Sequence, residues 1–211
     1  MEIKSAEIFD RNWKKYDDWF EKHKDIYFTE LKALRNAIPE GLGLEIGVGS
    51  GRFAFPLKVK IGIDPSKNIL GLAKKRGIQA TRGVGETLPF KDNTFDFVLI
   101  VVALCFVEEP KCMLSEVYRV LKRGGKLIVG EINKDSSWGK LYDAKRKKSE
   151  FYKLATFYSS NEIIEMLDGV GIRYSESYQT LLQLPKAPEI QEEPEKGFDK
   201  GGFVVIVGIK G

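Results

Sequence analysis

Histidine is nearly missing from this sequence: His23 is the only one, and the two cysteines, Cys105 and Cys112, stand too far apart to form a metal-binding or redox pair. No metal site is therefore expected. Long apolar runs are missing as well. The longest, residues 97–107, covers 11 residues, too short for a bilayer but suited to a strand buried on both faces and the turn after it. The first residues, Met1-Glu2-Ile3-Lys4, lead into charged amphipathic sequence and not into an apolar signal core. A cytoplasmic location, reduced thiols and no membrane span are the expectation. Charge of one sign is also scarce: 34 Lys and Arg against 30 Asp and Glu leave a net charge of +4, which gives no electrostatic footprint for a nucleic acid or a membrane surface. A length of 211 residues suits one α/β domain with an appended segment.

Glycine, in contrast, is plentiful and clustered. Gly43-Leu-Glu-Ile-Gly-Val-Gly-Ser-Gly-Arg52 opens as a buried strand, Leu44 and Ile46 alternating with Glu45, and runs into Gly47, Gly49 and Gly51. This is a strand turning sharply into a helix, the point where a doubly wound α/β sheet binds its ligand. Glycine is wanted there because the turn uses backbone angles closed to most side chains and because the ligand lies on bare backbone. The dinucleotide fingerprint would need glycine where Arg52 stands, so the spacing departs from it. Glu45 points the same way: a carboxylate costs energy beside a diphosphate and helps beside a cation. S-adenosylmethionine carries a sulfonium and an ammonium and no phosphate.

Glu45-x-Gly47-x-Gly49-x-Gly51 resembles the first motif of class I S-adenosylmethionine-dependent methyltransferases, of the ubiquinone/menaquinone-methyltransferase-like, small-molecule type. Three more stretches match in order: Ile61-Gly-Ile-Asp64-Pro65-Ser66, then Gly85-Glu86-Thr87-Leu88-Pro89-Phe90, then Phe95-Asp-Phe-Val98 with Arg119-Val-Leu-Lys-Arg-Gly-Gly125. The resemblance implies a Rossmann-like sheet of seven strands, mostly parallel with an antiparallel last strand, and helices on both faces. It implies one domain over residues 1–211, with residues 1–40 a helical lid and 41–211 the core. It also implies S-adenosyl-L-methionine as cofactor and S-adenosyl-L-homocysteine as product. The cofactor-binding residues carried over are Glu45, Gly47, Val48, Gly49 and Gly51 from the first motif, and Asp64, Pro65 and Ser66 from the second. Gly85 and Glu86 beside the adenine, Val102 after the fourth strand and Tyr16 from the lid complete the set. Two departures stand out: Val84 occupies a position often acidic, and Gly85 one often alanine.

Asp64 lies 19 residues after Glu45, the spacing of an acidic residue at the next strand's end. Its carboxylate can accept from both ribose hydroxyls, or Asp64-Pro65-Ser66 can serve as a helix start. Upstream, Ile8, Phe9, Trp13, Tyr16, Trp19, Phe20, Tyr27, Leu31 and Leu34 recur at helical spacing until Pro39 and Gly41 interrupt. These aromatics read either as a stripe packed on the sheet or as a lid, since Tyr16-Asp-Asp-Trp19-Phe20 resembles the lid motif of related small-molecule enzymes. Downstream, the pattern predicts a short helix ending at Pro56 and strands at 59–63, 78–82, 95–101 and 126–132. A helix at 110–121 and a basic one over 136–153 follow, the latter read as a solvated face or an anion-binding patch. Ser159-x-x-Glu162 forms a capping box for another helix. A sixth strand within 172–184 and a seventh at 202–209 end the chain. Between them, Pro185, Pro188, Pro194 and the acidic run from Glu189 to Glu195 form a long loop expected to border the substrate site.

For the acceptor, Trp13, Trp19, Cys105 and Phe106 are the candidate walls of an apolar pocket for a small molecule, an amine among the options. His23 is either a base or a lone exposed histidine, and Cys105, with no base beside it, is a wall residue. No catalytic residue is assigned, and a base is optional because the transferred methyl is already activated. A nucleic-acid amino methyltransferase would carry Asn/Asp-Pro-Pro-aromatic where this chain reads Val102-Ala-Leu-Cys-Phe106. An RNA or protein methyltransferase, or a binding protein that only senses the cofactor, would share the same cofactor motifs. Few residues remain outside the core to grip a polymer, so a small-molecule acceptor is expected, a nucleic acid is not, and oligomeric state is left open.

Overall fold

The computed structural model describes residues 4–184 and 192–211. Two helices, α1 (Lys4–Lys22) and α2 (Lys24–Arg35), precede β1 (Gly43–Ile46), β2 (Ile61–Asp64), α3 (Lys67–Lys75), β3 (Gln79–Arg82) and β4 (Phe95–Val101). Then come α4 (Pro110–Val120), β5 (Leu121–Ile132), α5 (Ser137–Arg146), α6 (Ser160–Asp168), β6 (Ile172–Thr180), β7 (Glu195–Lys196) and β8 (Phe203–Lys210). Alternation along the strands sets the architecture. In β4, Phe97, Leu99 and Val101 enter one buried cluster with Leu34 and Leu70, whereas Val98 and Ile100 enter another with Leu114 and Ile163. Strands buried on both faces need helices above and below; α2 and α3 cover the first face, and α4 and α6 the second.

The strands lie in the order β3-β2-β1-β4-β5-β8-β6-β7 within one sheet. The first five of that series pair in parallel, and β8 runs antiparallel to both β5 and β6. The expected seven strands with an antiparallel last one are thus present, and the two-residue β7 adds an eighth at the edge against Tyr178 and Gln179. From β1 the chain winds outward to β3 and then crosses to β4 on the other side. The carboxyl ends of β1 and β4 therefore flank the crevice where such sheets bind ligands.

Local departures have local causes. Residues 51–58 form consecutive tight turns and not a short helix. Phe55 N donates to Gly51 O at 3.0 Å, but Pro56 has no N–H for the Arg52 carbonyl, which the Tyr27 hydroxyl takes instead at 2.5 Å. The basic helix ends at Arg146, before the expected residue 153, because Lys148 and Ser149 donate to carbonyls three residues back and tighten its last turn. A single 3-10 turn follows at Tyr152–Leu154. The capping box at Ser159 and Glu162 forms as expected, with both reciprocal bonds present. β6 stops at Thr180, where Leu181 takes a φ of 56°. Pro185, Pro188 and the start of the acidic run at Glu189 lie outside the described residues.

Candidate cofactor and acceptor site

At the end of β1 the chain reverses on Gly47, whose φ of 72° is in the left-handed region. Both Gly47 and Val48 donate to the Ile63 carbonyl, at 2.8 and 3.1 Å, which locks the turn to the end of β2. A Cβ on Gly47 would come within 2.5 Å of the Ala103 Cβ, so the turn is also closed sterically. Asp64 faces this turn. Its Oδ2 accepts from Gly49 N at 2.9 Å and its Oδ1 from Ser66 N at 2.8 Å. Burial raises the Asp64 carboxyl to about 6, although these two amides pull it down. Behind the turn, Glu45 is fully buried and accepts from the Ala54 amide, while its Oε2 finds no donor among the described residues. Burial and the charge of Asp64 push Glu45 well above the usual carboxylate range. Asp64, part-buried at the end of β2, is the carboxylate of this floor, and its charge suits a cation and opposes a diphosphate.

Above this floor is a cavity of about 570 Å³, within the usual range for small-ligand sites. Gly47, Gly49, Asp64 and Pro65 line its base, residues 83–87 one wall, and residues 101–103 and 106–109 the other. Gly85 replaces the expected alanine for a physical reason, since a Cβ there would meet the Met113 sulfur at 2.5 Å. Val102 turns into the cavity with a φ of 46°, an unfavourable angle for a β-branched residue and one concentrated at functional sites. The roof is α1, through Ser5, Ala6, Phe9 and Tyr16. Phe9 packs edge-on against Tyr16 and Phe106, at 5.3 and 5.2 Å between ring centres.

A polar seam fastens that roof. Asp17 accepts from Arg52 and Arg76, and Arg52 also donates to Glu21 at 2.6 Å. Asp10 accepts from the Ser66 hydroxyl at 2.6 Å and from Asn68 N at 2.8 Å, pinning α1 to the start of α3. Burial raises the Asp17 carboxyl, but its hydrogen bonds to the two arginines outweigh that and hold it at about 2. Arg52, where a third glycine would stand in the dinucleotide pattern, is the centre of this seam.

Of the residues expected around the ligand, Gly47, Gly49, Asp64, Pro65, Gly85, Glu86, Val102, Tyr16 and Phe106 line the cavity. Val48, Gly51 and Ser66 support it from behind: Val48 sits over Gly62, Gly51 against Ala73, and Ser66 on Asp10 and Asp64. Trp13, Trp19, His23 and Cys105 do not line it. α1 is kinked at Asn12, whose side-chain amide donates to the Ile8 carbonyl at 3.0 Å and whose own φ leaves the helical range. The kink shifts the facing of Trp13 relative to Phe9, and Lys14 covers the Trp13 ring. Trp19 stacks on the exposed His23 at 4.7 Å, away from the cavity. Cys105 is buried behind the wall next to Glu131, and burial and that carboxylate push its thiol up, the opposite of an activated nucleophile. Glu131 itself accepts from Ala103 and Leu104 N at 2.9 and 2.8 Å and so holds the strand end beside the cavity. Sequence reasoning missed Asp10, Asp17 and Arg76 as anchors of the roof, whereas Phe9, seven positions before Tyr16, was among the aromatics read as a stripe or a lid but not assigned to the cavity. Among the described residues no cluster of acidic, histidine or cysteine side chains could hold a metal, and no helix is long and apolar enough to cross a membrane.

Residues 44–129 match the family described as methyltransferase domain. An uncharacterised protein of Methanocaldococcus jannaschii is 48% identical over 200 residues, 94% of this chain and 97% of that protein. The crystal structure of a Thermotoga maritima protein described as an S-adenosylmethionine-dependent methyltransferase, possible histamine N-methyltransferase, superposes with a TM-score of 0.94. That protein is 44% identical, and the match covers 97% of this chain and 99% of its own. A demethylmenaquinone methyltransferase of Oceanobacillus iheyensis is 25% identical over 93% of this chain and 85% of its own length.

Proposed function

We propose that this chain, which belongs to the class I S-adenosylmethionine-dependent methyltransferases and uses S-adenosylmethionine as cofactor, methylates a small molecule held beneath its N-terminal helix. The observation that carries this reading is the roofed cavity of about 570 Å³, which opens on the glycine turn and is closed above by Phe9 and Tyr16. A roof made of the chain's own helix favours a small acceptor over a polymer strand. The cofactor supplies a methyl group on a positively charged sulfur, already activated for transfer.

In this reading Gly47 and Gly49 offer bare backbone to the amino-acid end, and the free lone pairs of Asp64 accept from the ribose hydroxyls. Residues 84–86 border the adenine. Asp64 gives the floor a negative charge for the cationic groups. The helical segment before residue 41 is a lid on one Rossmann-like domain, and its docking excludes water from the reacting atoms. Transfer is then a displacement: a lone pair of the acceptor forms the new bond to carbon, and the carbon–sulfur pair stays on sulfur. The protein's part is alignment and dryness. The relatives' names point to small acceptors of two kinds, an amine and a quinone precursor.

Thermal unfolding with S-adenosylmethionine, S-adenosylhomocysteine and NAD tests the cofactor part; the first two should raise the midpoint and NAD should not. Labelled cofactor incubated with a metabolite extract, and separately with tRNA, rRNA and protein fractions, tests the acceptor part. Label appearing only in a macromolecular fraction would overturn it.

A further inference from the structure

Val102 is the one β-branched residue with a positive φ among the described residues, and it lines the cofactor cavity. Such an angle persists only where the surroundings fix it from both sides. β5 does so with two successive residues. The Gly130 carbonyl accepts from Val102 N at 2.8 Å. The next residue, Glu131, takes the two amides that follow on a single oxygen, Oε1: Ala103 N at 2.9 Å and Leu104 N at 2.8 Å. The backbone is therefore bonded on either side of the strained Val102 Cα.

This hold comes from another strand for a steric reason. Ala103 precedes a 3-10 turn, Leu104–Phe106, whose first free amides a polar side chain at residue 103 could cap locally. Position 103 has little room for one, because its Cβ already lies against the glycine turn: a Cβ on Gly47 would come within 2.5 Å of it. A carboxylate reaching across from β5 satisfies both amides without entering that space. The Glu131 side chain is only 2% exposed, and without it the buried Leu104 N would have no acceptor. The same stretch supplies the cavity wall, since Ala103 and Phe106 line it together with Val102. Beyond them the Cys105 carbonyl accepts from Thr156 N at 2.8 Å, which fastens the turn at its other end.

We propose that Glu131 is a positioning residue for methyl transfer: by holding the amides of residues 103 and 104 it keeps Val102 in its left-handed conformation, and so sets the gap between cavity wall and glycine turn in which the cofactor lies. The proposal rests on the reading above that the cofactor occupies this cavity. Glu131 touches no ligand on this account and acts only through Val102 and Ala103.

The test is a double-mutant cycle on the full chain, read as the dissociation constant of S-adenosylhomocysteine by calorimetry at pH 8, above the value of about 7 to which burial raises the Glu131 carboxyl. Glu131→Met keeps the length of the side chain and removes the acceptor. It should weaken binding about tenfold, a coupling of the size that residues in contact show. Glu131→Gln keeps an oxygen for the amides but not the charge, and should weaken binding about threefold. Glycine takes a positive φ at no steric cost. In a Val102→Gly background both Glu131 substitutions should therefore change the dissociation constant by less than about twofold. A role confined to satisfying buried amides would lower the melting midpoint and leave the loss of affinity the same in both backgrounds. Where Glu131→Met does not fold, Glu131→Gln supplies the comparison. Equal losses with valine and with glycine at position 102, or no loss with either, would overturn the proposal. An unmodified chain that binds no S-adenosylhomocysteine would overturn the placement of the cofactor in this cavity, and the proposal with it.

Discussion

Arg52 grips Asp17 through two parallel hydrogen bonds, Nε to Oδ1 at 2.9 Å and Nη2 to Oδ2 at 2.8 Å, and so ties the roof helix to the segment that follows the glycine turn. Arg76 reaches the same carboxylate at 2.9 Å, and both Asp17 and Arg52 side chains are only 17% exposed. Bonds of this kind contribute about 1.5 to 3 kcal/mol each way they are measured. Asp17→Asn should therefore lower stability by about 2 kcal/mol and speed amide exchange over residues 4–22 more than in the sheet. Because the folded carboxyl titrates at about 2 against 3.8 unfolded, the contribution is whole above about pH 4 and disappears as pH falls toward 2. Exchange rates in α1 that match those of the unmodified chain would mean that apolar packing alone holds the roof.

Gly47 and Gly124 allow the angle and the space at the turn to be separated. Both have positive φ, 72° and 73°, but a Cβ on Gly47 would strike Ala103 whereas one on Gly124 meets nothing within 4 Å. Gly124→Ala should cost about 1 to 3 kcal/mol from backbone strain alone. Gly47→Ala should cost more and also weaken cofactor binding, since the strand end carrying Val102 must move. Equal losses in chemical denaturation would mean that the clash relaxes freely.

Much of this was legible in the chain because it rests on local patterns. The glycine turn, Asp64 at the next strand's end and the alternation of β4 are all set by neighbours a few residues apart, and they emerge where expected. The roof was harder to read. Its facing depends on the Asn12 kink, which turns on one side-chain amide outcompeting a backbone bond, and its anchors pair Asp17 with Arg52 and Arg76, 35 and 59 residues away. Nothing in the spacing of Trp13, Trp19 and His23 betrays that they stay outside the cavity. Likewise the turns at 51–58 look helical until the Tyr27 hydroxyl is known to occupy the carbonyl that Pro56 leaves free. The burial of Glu30 carried no signal at all, the residue being one acid among many on an amphipathic helix.

Asp64 should give cofactor binding an acid limb. A carboxylate accepts from two hydroxyls, and protonation turns one oxygen into a donor. With the carboxyl raised to about 6, affinity for S-adenosylhomocysteine should be full above about pH 7 and fall as pH drops through 6. Asp64→Ala should weaken binding by about 1.5 to 3 kcal/mol and flatten that limb. A dissociation constant unchanged by the substitution would leave Asp64 with only its bonds to Gly49 and Ser66.

Glu30 should reveal its burial in the pH dependence of stability. Desolvation raises its carboxyl from 4.5 to about 8, so between those values the folded chain keeps a proton that the unfolded chain has lost. The unfolded state then binds fewer protons, and stability must fall as pH rises across this window. Its neutral form is fully tolerated below about pH 4.5, and the penalty is complete above about pH 8. Asp64 and Glu131 titrate in the same window, to about 6 and about 7, so the absolute melting curve cannot isolate Glu30. The difference between the unmodified chain and Glu30→Gln can, because glutamine has the same shape and no charge. That difference should be small at pH 5 and should favour the variant increasingly toward pH 9, by on the order of a few kcal/mol. A difference that does not change with pH would mean that Glu30 is solvated like an ordinary surface acid.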